Sequence, residues 1–321
     1  MSKINKNKIL IIGSGSIANK HIENLIDLKI KNIFDFIKND FEKKRFEKKN
    51  LSKIIFIKFR EMDTWLSNQI LFAIIANSTN NHHKYIKYLI KKKINIFCEK
   101  PISNQINLIR KLRKEIIQKK IIFFMNYQLQ EHNLVKKLKK LLVKEKVFNV
   151  SLKITHNLKY WRKNKIRTNS YYIDKKKGGG VIFELIHEVN LINFLFGKID
   201  KISTFRNNLF LKRAEDQAAS IFKTKKGVIG TLFQDMISPV KQRYIEVCSE
   251  NKIFKLDFEE NTLTLKTRLK KKIFRNYDDQ NLSTLKKSLR KFIKLVKSKK
   301  FNITSFDEAL YDLDVCKKMH K

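Results

Sequence analysis

The chain has 321 residues, 42% hydrophobic and 11% aromatic, the composition of a soluble globular protein long enough for two cores. No apolar run approaches the roughly 20 residues of a membrane helix, so no membrane partner is expected. The formal charge is +41, but 59 of the 71 basic residues are lysine and they are spread along helix and loop alike. With asparagine and isoleucine also plentiful, that reads as drift in an A/T-rich genome. It does not read as one Arg/Lys face built for nucleic acid, so no specific nucleic-acid partner is expected.

The N-terminal MSKINKNK leads into a short strand and not into a secretory apolar segment. Cys98, Cys248 and Cys316 lie far apart and lack metal-ligand spacing, which predicts reduced thiols, a cytoplasmic location and no metal site.

Up to about residue 125, short β-rich runs near 8–12, 31–36, 54–59, 70–76, 94–98 and 121–125 alternate with helical stretches. The helices are expected near 17–28, 40–48, 62–67, 82–92 and 104–119. This alternation predicts a doubly wound parallel sheet with helices on both faces. Pro101 ends the fifth strand, and Ser103 or Asn104 can cap the helix that follows. Beyond residue 125 a helix near 132–143 precedes strands near 146–157, 199–210, 216–223, 228–236, 242–248, 253–258 and 262–267. Strands that follow one another without helices imply a mostly antiparallel sheet. One helix interrupts them, from Gly178-Gly179-Gly180 to about Phe196, and two more close the chain near 281–298 and 305–319. The predicted division is a Rossmann domain over 1–125 and an α+β substrate and oligomerisation domain over 126–321.

The chemistry starts at Gly13-Ser14-Gly15-Ser16-Ile17-Ala18, directly after the apolar run Ile9–Ile12. Such a turn lets the backbone approach a pyrophosphate at a helix N-terminus, where unpaired N–H groups and the helix dipole favour anions. Gly13, Gly15, Ile17 and Ala18 are therefore expected to contact a dinucleotide. Asp35 lies 20 residues beyond Gly15, where a carboxylate can bind the ribose hydroxyls and repel a 2′-phosphate, favouring NAD over NADP. The fourth strand ends in Ala76-Asn77-Ser78-Thr79-Asn80-Asn81-His82, whose small and amide residues let a cofactor lie close. Asn77, Ser78 and His82 join the expected cofactor contacts, although a lone histidine opening a helix is more often a cap or packing residue. Glu99-Lys100-Pro101 closes the fifth strand, and a charged pair at the end of a buried strand is costly unless it meets a ligand or partner.

With these motifs in place, the chain resembles the glucose-fructose oxidoreductase / inositol dehydrogenase / MocA family over nearly its whole length. The matching residues are Gly13-x-Gly15-x-x-Ala18, Asn77-Ser78-Thr79-x-x-His82, Glu99-Lys100-Pro101, and Gly178-Gly179-Gly180 followed by Glu184 and His187. Glu215-Asp216-Gln217-Ala218-Ala219 and Leu256-Asp257-Phe258-Glu259 match as well. The segment from Tyr160-Trp161-Arg162 to Glu184-Leu185-Ile186-His187-Glu188 is similar to members of surface-polysaccharide sugar pathways.

The resemblance implies that Lys100 holds the reacting oxygen and also touches the cofactor, as does Glu99. It implies that His187 exchanges the hydroxyl proton. Glu184, one helical turn earlier, is expected to share the face of His187 and to bind substrate or orient the imidazole. Trp161, with Tyr160, is expected to wall the sugar ring. The chain departs from the family pattern at Lys93, where glycine is usual, and at Asn190, where aspartate is usual. An arginine common after the sixth strand is replaced by Gln128 or Leu129.

The expected activity is hydride transfer between NAD(H) and a secondary alcohol carbon of a sugar, nucleotide sugar or cyclitol, in a homodimer or homotetramer. A non-catalytic dinucleotide sensor or scaffold, and an NAD-dependent epimerase or glycosidase with internal redox recycling, stay open as alternatives.

Overall fold

The computed structural model describes residues 8–30, 33–36, 54–57, 70–161, 171–276 and 280–321; side chains at 33–36, 54–57, 161, 171 and 280–283 lie outside that description. Two compact units emerge, one from residues 1–126 with 281–310, the other from 127–280 with 311–321. Helices of ten residues or more are labelled α1 (Ser16–Asp27), α2 (His82–Lys91), α3 (Ile106–Gln118), α4 (Asn133–Leu142), α5 (Ile186–Phe196), α6 (Gln280–Lys297) and α7 (Thr304–Lys318). Among the described residues no single helix is long and apolar enough to cross a membrane.

The first unit is built on six parallel strands: β1 (Lys8–Ile12), β2 (Ile33–Phe36), β3 (Ile54–Ile57), β4 (Ile70–Ile75), β5 (Asn95–Cys98) and β6 (Phe123–Met125). Their order, β3-β2-β1-β4-β5-β6, reverses between β1 and β4, which is the dinucleotide-binding arrangement of doubly wound sheets. Ile9 to Ile12 are all fully buried, as a strand covered on both faces requires. Ile9, Ile11, Phe72, Ile74, Phe97 and Phe124 meet Ile22 and Leu25 of α1 in one core. Phe292 of α6 joins it, edge-on to Phe72 at 5.0 Å and to Phe97 at 5.4 Å.

That packing corrects the expected boundary: the segment 281–310 belongs by its contacts to the first unit, because Leu289, Phe292 and Val296 complete its core. The helices expected near 40–48 and 62–67 lie outside the described residues. The cap of α3 also differs from expectation. Its N-cap is Gln105, whose N–H donates to the Ser103 hydroxyl at 3.0 Å, and no side chain caps the helix.

The second unit carries eight strands, β7 (Val147–Thr155), β8 (Ile199–Asn207), β9 (Gln217–Thr224), β10 (Ile229–Asp235), β11 (Gln242–Ser249), β12 (Ile253–Asp257), β13 (Thr262–Lys266) and β14 (Lys271–Arg275). They run β14-β13-β12-β11-β7-β10-β9-β8. Every neighbouring pair is antiparallel except β7 with β10. Alternating burial along β9 and β10 shows one face packed and one open. Strand β14 was not foreseen, because Lys271 and Lys272 hide the alternation; lysines are usual on an edge strand, where they discourage pairing with other chains.

Candidate active site

In the first unit β1 ends at Ile12 and α1 begins at Ser16. Gly13 sits between them at φ +136°, and a Cβ there would lie 2.6 Å from the Ala76 carbonyl carbon and oxygen. Only glycine lets the turn press this closely on the end of β4, where Ala76 N donates to Ile12 O. Gly15 is the N-cap of α1 in extended conformation, with no side-chain cap, and a Cβ built on it would meet nothing within 4 Å. Ala18 is fully buried against the sheet and Ile17 packs on the same core. The turn is therefore tight on its sheet side and open on the other. Beside it Asn77 keeps a buried Oδ1 without a hydrogen-bond partner. An uncapped helix start, open space over Gly15 and an unsatisfied amide oxygen suit a pyrophosphate and its attached ribose. Asp35 occupies the third position of β2, opposite Ile11 and Phe56. Its side chain lies outside the description.

Ser78 opens a short 3₁₀ turn, accepting from Asn81 N at 2.9 Å through its carbonyl. His82 follows with only 1% of its surface exposed. Its Nδ1 lies 2.9 Å from Pro101 O and its Nε2 3.0 Å from Asn77 O. Burial dominates and lowers the His82 pKa, although both carbonyls and the Glu99 charge act in the opposite direction. Glu99 is also buried: its Oε1 receives His21 Nε2 at 2.6 Å and Asn126 Nδ2 at 2.7 Å. Burial would raise its pKa, but the His21 bond and charge, then Asn126 and Lys100, outweigh it and hold the carboxyl below the usual range.

Both ring nitrogens of His82 and the Oε1 of Glu99 are thus engaged inside the protein. Lys100 follows Glu99, partly buried, ahead of a cis peptide to Pro101.

In the second unit Gly180 (φ +102°) opens the helical turn Val181–Glu184. A Cβ on Gly180 would strike Glu215 Oε1 at 2.3 Å. That Glu215 oxygen lies 3.4 Å from Ile182 N and 3.1 Å from His320 Nε2. The His320 ring stacks on Phe183 with centroids 5.2 Å apart, and its Nδ1 lies 2.8 Å from Cys316 O. Glu184 and His187 are both buried, at 4% and 8% exposure, and Tyr127 stands edge-on to the His187 ring at 6.2 Å.

They do not share one helical face as expected. Leu185 leaves the helical region (φ −106°, ψ 33°), and the chain bends by 49° between Lys175–Glu184 and Ile186–Phe196. The buried Gln234 amide donates to Leu185 O at 2.9 Å and satisfies the carbonyl at the break. Next along α5, Glu188 pairs with Arg243 at 2.5 Å.

At the departure from the family pattern, Asn190 accepts from Gln130 Nε2 at 3.0 Å and donates to Asp312 at 2.8 Å. Trp161 ends a short helix, Leu158–Trp161, its side chain outside the description, while Tyr160 is 62% exposed.

The sequence reading missed His21, Asn126, Ser288 and His320 and gave Glu215 no role, because their partners are remote in the chain. Only His21 carried a local signal, a polar side chain on the buried face of α1.

Residues 7–127 match the model of an oxidoreductase family with an NAD-binding Rossmann fold, GFO/IDH/MocA, and residues 135–255 match the C-terminal domain of the same family. The chain belongs to the GFO/IDH/MocA oxidoreductase family. It is 24% identical over 271 residues to a myo-inositol 2-dehydrogenase of Thermotoga maritima, covering 80% of this chain and 78% of that protein. Its fold is that of a UDP-N-acetylglucosamine 3-dehydrogenase from Acidithiobacillus ferrooxidans (TM-score 0.80, 14% identity, 97% of this chain and 96% of the other). A levoglucosan dehydrogenase in complex with NADH shares it too (TM-score 0.83, 11% identity, 98% and 96%). At these identities the structural likeness speaks for the fold alone.

Proposed function

We propose that this family member transfers a hydride reversibly between NAD(H) and a secondary alcohol carbon of a sugar, nucleotide sugar or cyclitol. The observation that carries the reading is the C-terminal edge of the parallel sheet. There the Gly13 turn is tight on β4 and open above Gly15, and the frame around Glu99 leads directly into Lys100. The relatives named as acting on inositol, a nucleotide sugar and levoglucosan support the substrate class.

Bound NAD supplies the hydride acceptor. The chain supplies the rest: Lys100 donates to the carbinol oxygen and stabilises it as the carbonyl forms, and His187 takes the hydroxyl proton as the C–H hydride departs. In the reverse direction His187 returns that proton to the oxygen. Asp35 selects NAD over NADP by accepting from ribose hydroxyls and repelling a 2′-phosphate, and Glu184 and Trp161 contribute to the substrate side.

The test is NADH formation over a panel of inositols, free sugars and nucleotide sugars. Lys100→Met is expected to keep NAD binding and lose about 10²–10³ in turnover, the cost of one well-placed donor. His187→Ala is expected to slow oxidation by about 10²–10⁴ and to remove the acid limb of kcat/KM. Nucleotide binding without turnover on any panel member would replace this reading with the non-catalytic scaffold. Near-parent kcat in Lys100→Met would remove Lys100 from the chemistry.

A further inference from the structure

We propose that His21 is a positioning residue for Lys100, acting through Glu99. This rests on the reading of Lys100 as the residue that holds the reacting oxygen. His21 stands on α1, the helix whose first turn is the dinucleotide turn, and it is completely buried. Its Nε2 lies 2.6 Å from Glu99 Oε1, and its ring meets Phe97 edge-on at 5.2 Å. Asn126, just past β6, donates to the same Glu99 oxygen at 2.7 Å. Its own Oδ1 accepts from Ser288 Oγ of α6 at 2.7 Å, and its backbone N–H donates to Cys98 O at 2.8 Å. Glu99 N donates to Ile75 O at 2.9 Å. The two residues before Lys100 are thus held by α1, β4, the end of β6 and α6 together.

Packing alone does not call for this arrangement. A buried ion pair is commonly no more stabilising than apolar side chains of the same shape, so its contribution here is geometric. Directional bonds fix the Glu99 carboxylate and the Cys98 and Glu99 peptide groups, and with them the point from which the Lys100 side chain departs. Because one end of the chain of bonds is α1, the same contact ties that departure point to the helix that starts at the dinucleotide turn. A catalytic group displaced by about 1 Å can lose about 10² in rate without losing its contacts to the cofactor.

The groups whose charge bears on Glu99 are His21 on α1, Lys100 beside it, Cys98 on β5 and His82 at the start of α2. Removing His21 removes the hydrogen bond that does most to hold the Glu99 carboxyl low, so Glu99 is expected to titrate at higher pH.

The experiment compares His21→Leu with His21→Gln, which keeps an N–H donor, in the full-length protein. NAD affinity is read by titration, kcat from pH 5 to 9 with the best sugar of the panel, and the Lys100 backbone amide by NMR without substrate. His21→Leu is expected to lower kcat by about 10–10², with NAD affinity changing much less. It should also make the acid-side fall of kcat steeper than in the parent, and displace the Lys100 amide resonance. His21→Gln should recover most of the rate and return the resonance.

Parent-like kcat and an unmoved Lys100 amide in His21→Leu would overturn the proposal. So would equal losses of kcat and NAD affinity, or a Gln variant as slow as the Leu variant. If His21→Leu does not fold, the Gln variant and Ser288→Ala carry the test, with smaller displacements of the same resonance expected in the serine variant. If the parent turns over no sugar, the proposed function fails and the amide resonance still decides whether His21 positions Lys100.

Discussion

In the first unit the positive-φ positions at helix ends are held by lysine, whereas in the second unit glycine predominates. Lys29, Lys93, Lys120 and Lys299 have φ between 51° and 60°. Each closes a helix by the same pair of bonds: Lys29 N to Ile26 O with Ile30 N to Leu25 O, and likewise after α2, α3 and α6. This is the Schellman ending, in which glycine is favoured at the left-handed residue. Lys93, where the family has glycine, is one of the four. In the second unit Gly180 (φ 102°, ψ 157°) and Gly197 (φ 91°, ψ 169°) occupy a region open essentially to glycine alone, and Gly180 also has no room for a Cβ. Gly13 obeys the same rule within the first unit. In a chain with only 8 glycines among 321 residues, these three stand where a side chain is geometrically barred. Lysine has taken positions where it is merely disfavoured.

The largest way to break that contrast is to place a Cβ where it is barred. Gly13→Ala drives a methyl into the backbone of Ala76 and Asn77, which cannot swing aside. It should cost about 3 kcal/mol or more, at the top of the usual range for overpacking, and abolish nucleotide binding. Gly180→Ala meets the Glu215 side chain, which can rotate away, so about 1–3 kcal/mol is expected. That rotation releases Ile182 and His320 and should slow turnover while NAD binding is kept. Chemical denaturation with nucleotide titration reads both. A Gly13→Ala protein as stable as the parent would show that the β1–α1 turn can move away from Ala76 and Asn77.

The units are also expected to differ in acid. Burial holds His82 below its ordinary value, and the His21 contact outweighs burial to hold Glu99 below its own. A folded-state pKa below the unfolded one means that the unfolded chain binds the proton more tightly, so stability falls as pH falls. For His82 the loss begins near pH 6.5 and grows until its folded value is passed; for Glu99 it begins lower, in the carboxylate range. In the second unit His156 is lowered too, but it is only half-buried. Hydrogen-exchange protection factors at Ile74 and Phe97 should therefore fall before those at Leu232 and Val247 on acidification. Simultaneous loss in both units would contradict this, as would an unchanged order in His82→Gln.

What the sequence disclosed followed its local grammar. Apolar runs alternating with amphipathic stretches place β1 to β6 and α1 to α3 within a few residues of where they lie. The motifs Gly13–Ala18 and Glu99–Pro101 stand at strand ends because strand and turn are local events. Features set by distant partners were not legible. The helix break at Leu185 depends on Gln234, 49 residues away, so Glu184 and His187 looked like neighbours on one face. His21 depends on Glu99, 78 residues on, and α6 joins the first core through Phe292. Nothing near residue 290 says which of two cores will take an amphipathic helix.

The smallest expected effect sharpens the contrast most. A left-handed residue with a side chain costs roughly 1–2 kcal/mol relative to glycine. Two opposing effects reduce the gain from Lys→Gly at a helix end. Glycine adds about 0.4–1 kcal/mol of unfolded-state entropy, and the lost lysine was a cation at the helix C-terminus, worth about 0.3–1 kcal/mol. The balance is about 0.15 kcal/mol per site and about 0.6 kcal/mol for Lys29→Gly, Lys93→Gly, Lys120→Gly and Lys299→Gly combined, if the sites are independent. That corresponds to a rise in Tm of about 1–2 °C in a domain of this size. The informative control is Lys111→Gly in the middle of α3, where the backbone is right-handed and the side chain exposed. There glycine should destabilise by about 1 kcal/mol. Opposite signs for the same chemical change isolate backbone conformation as the cause. If all five substitutions destabilise alike, the charge at the helix ends outweighs the left-handed strain. The lysines would then be retained at those positions for their electrostatic contribution.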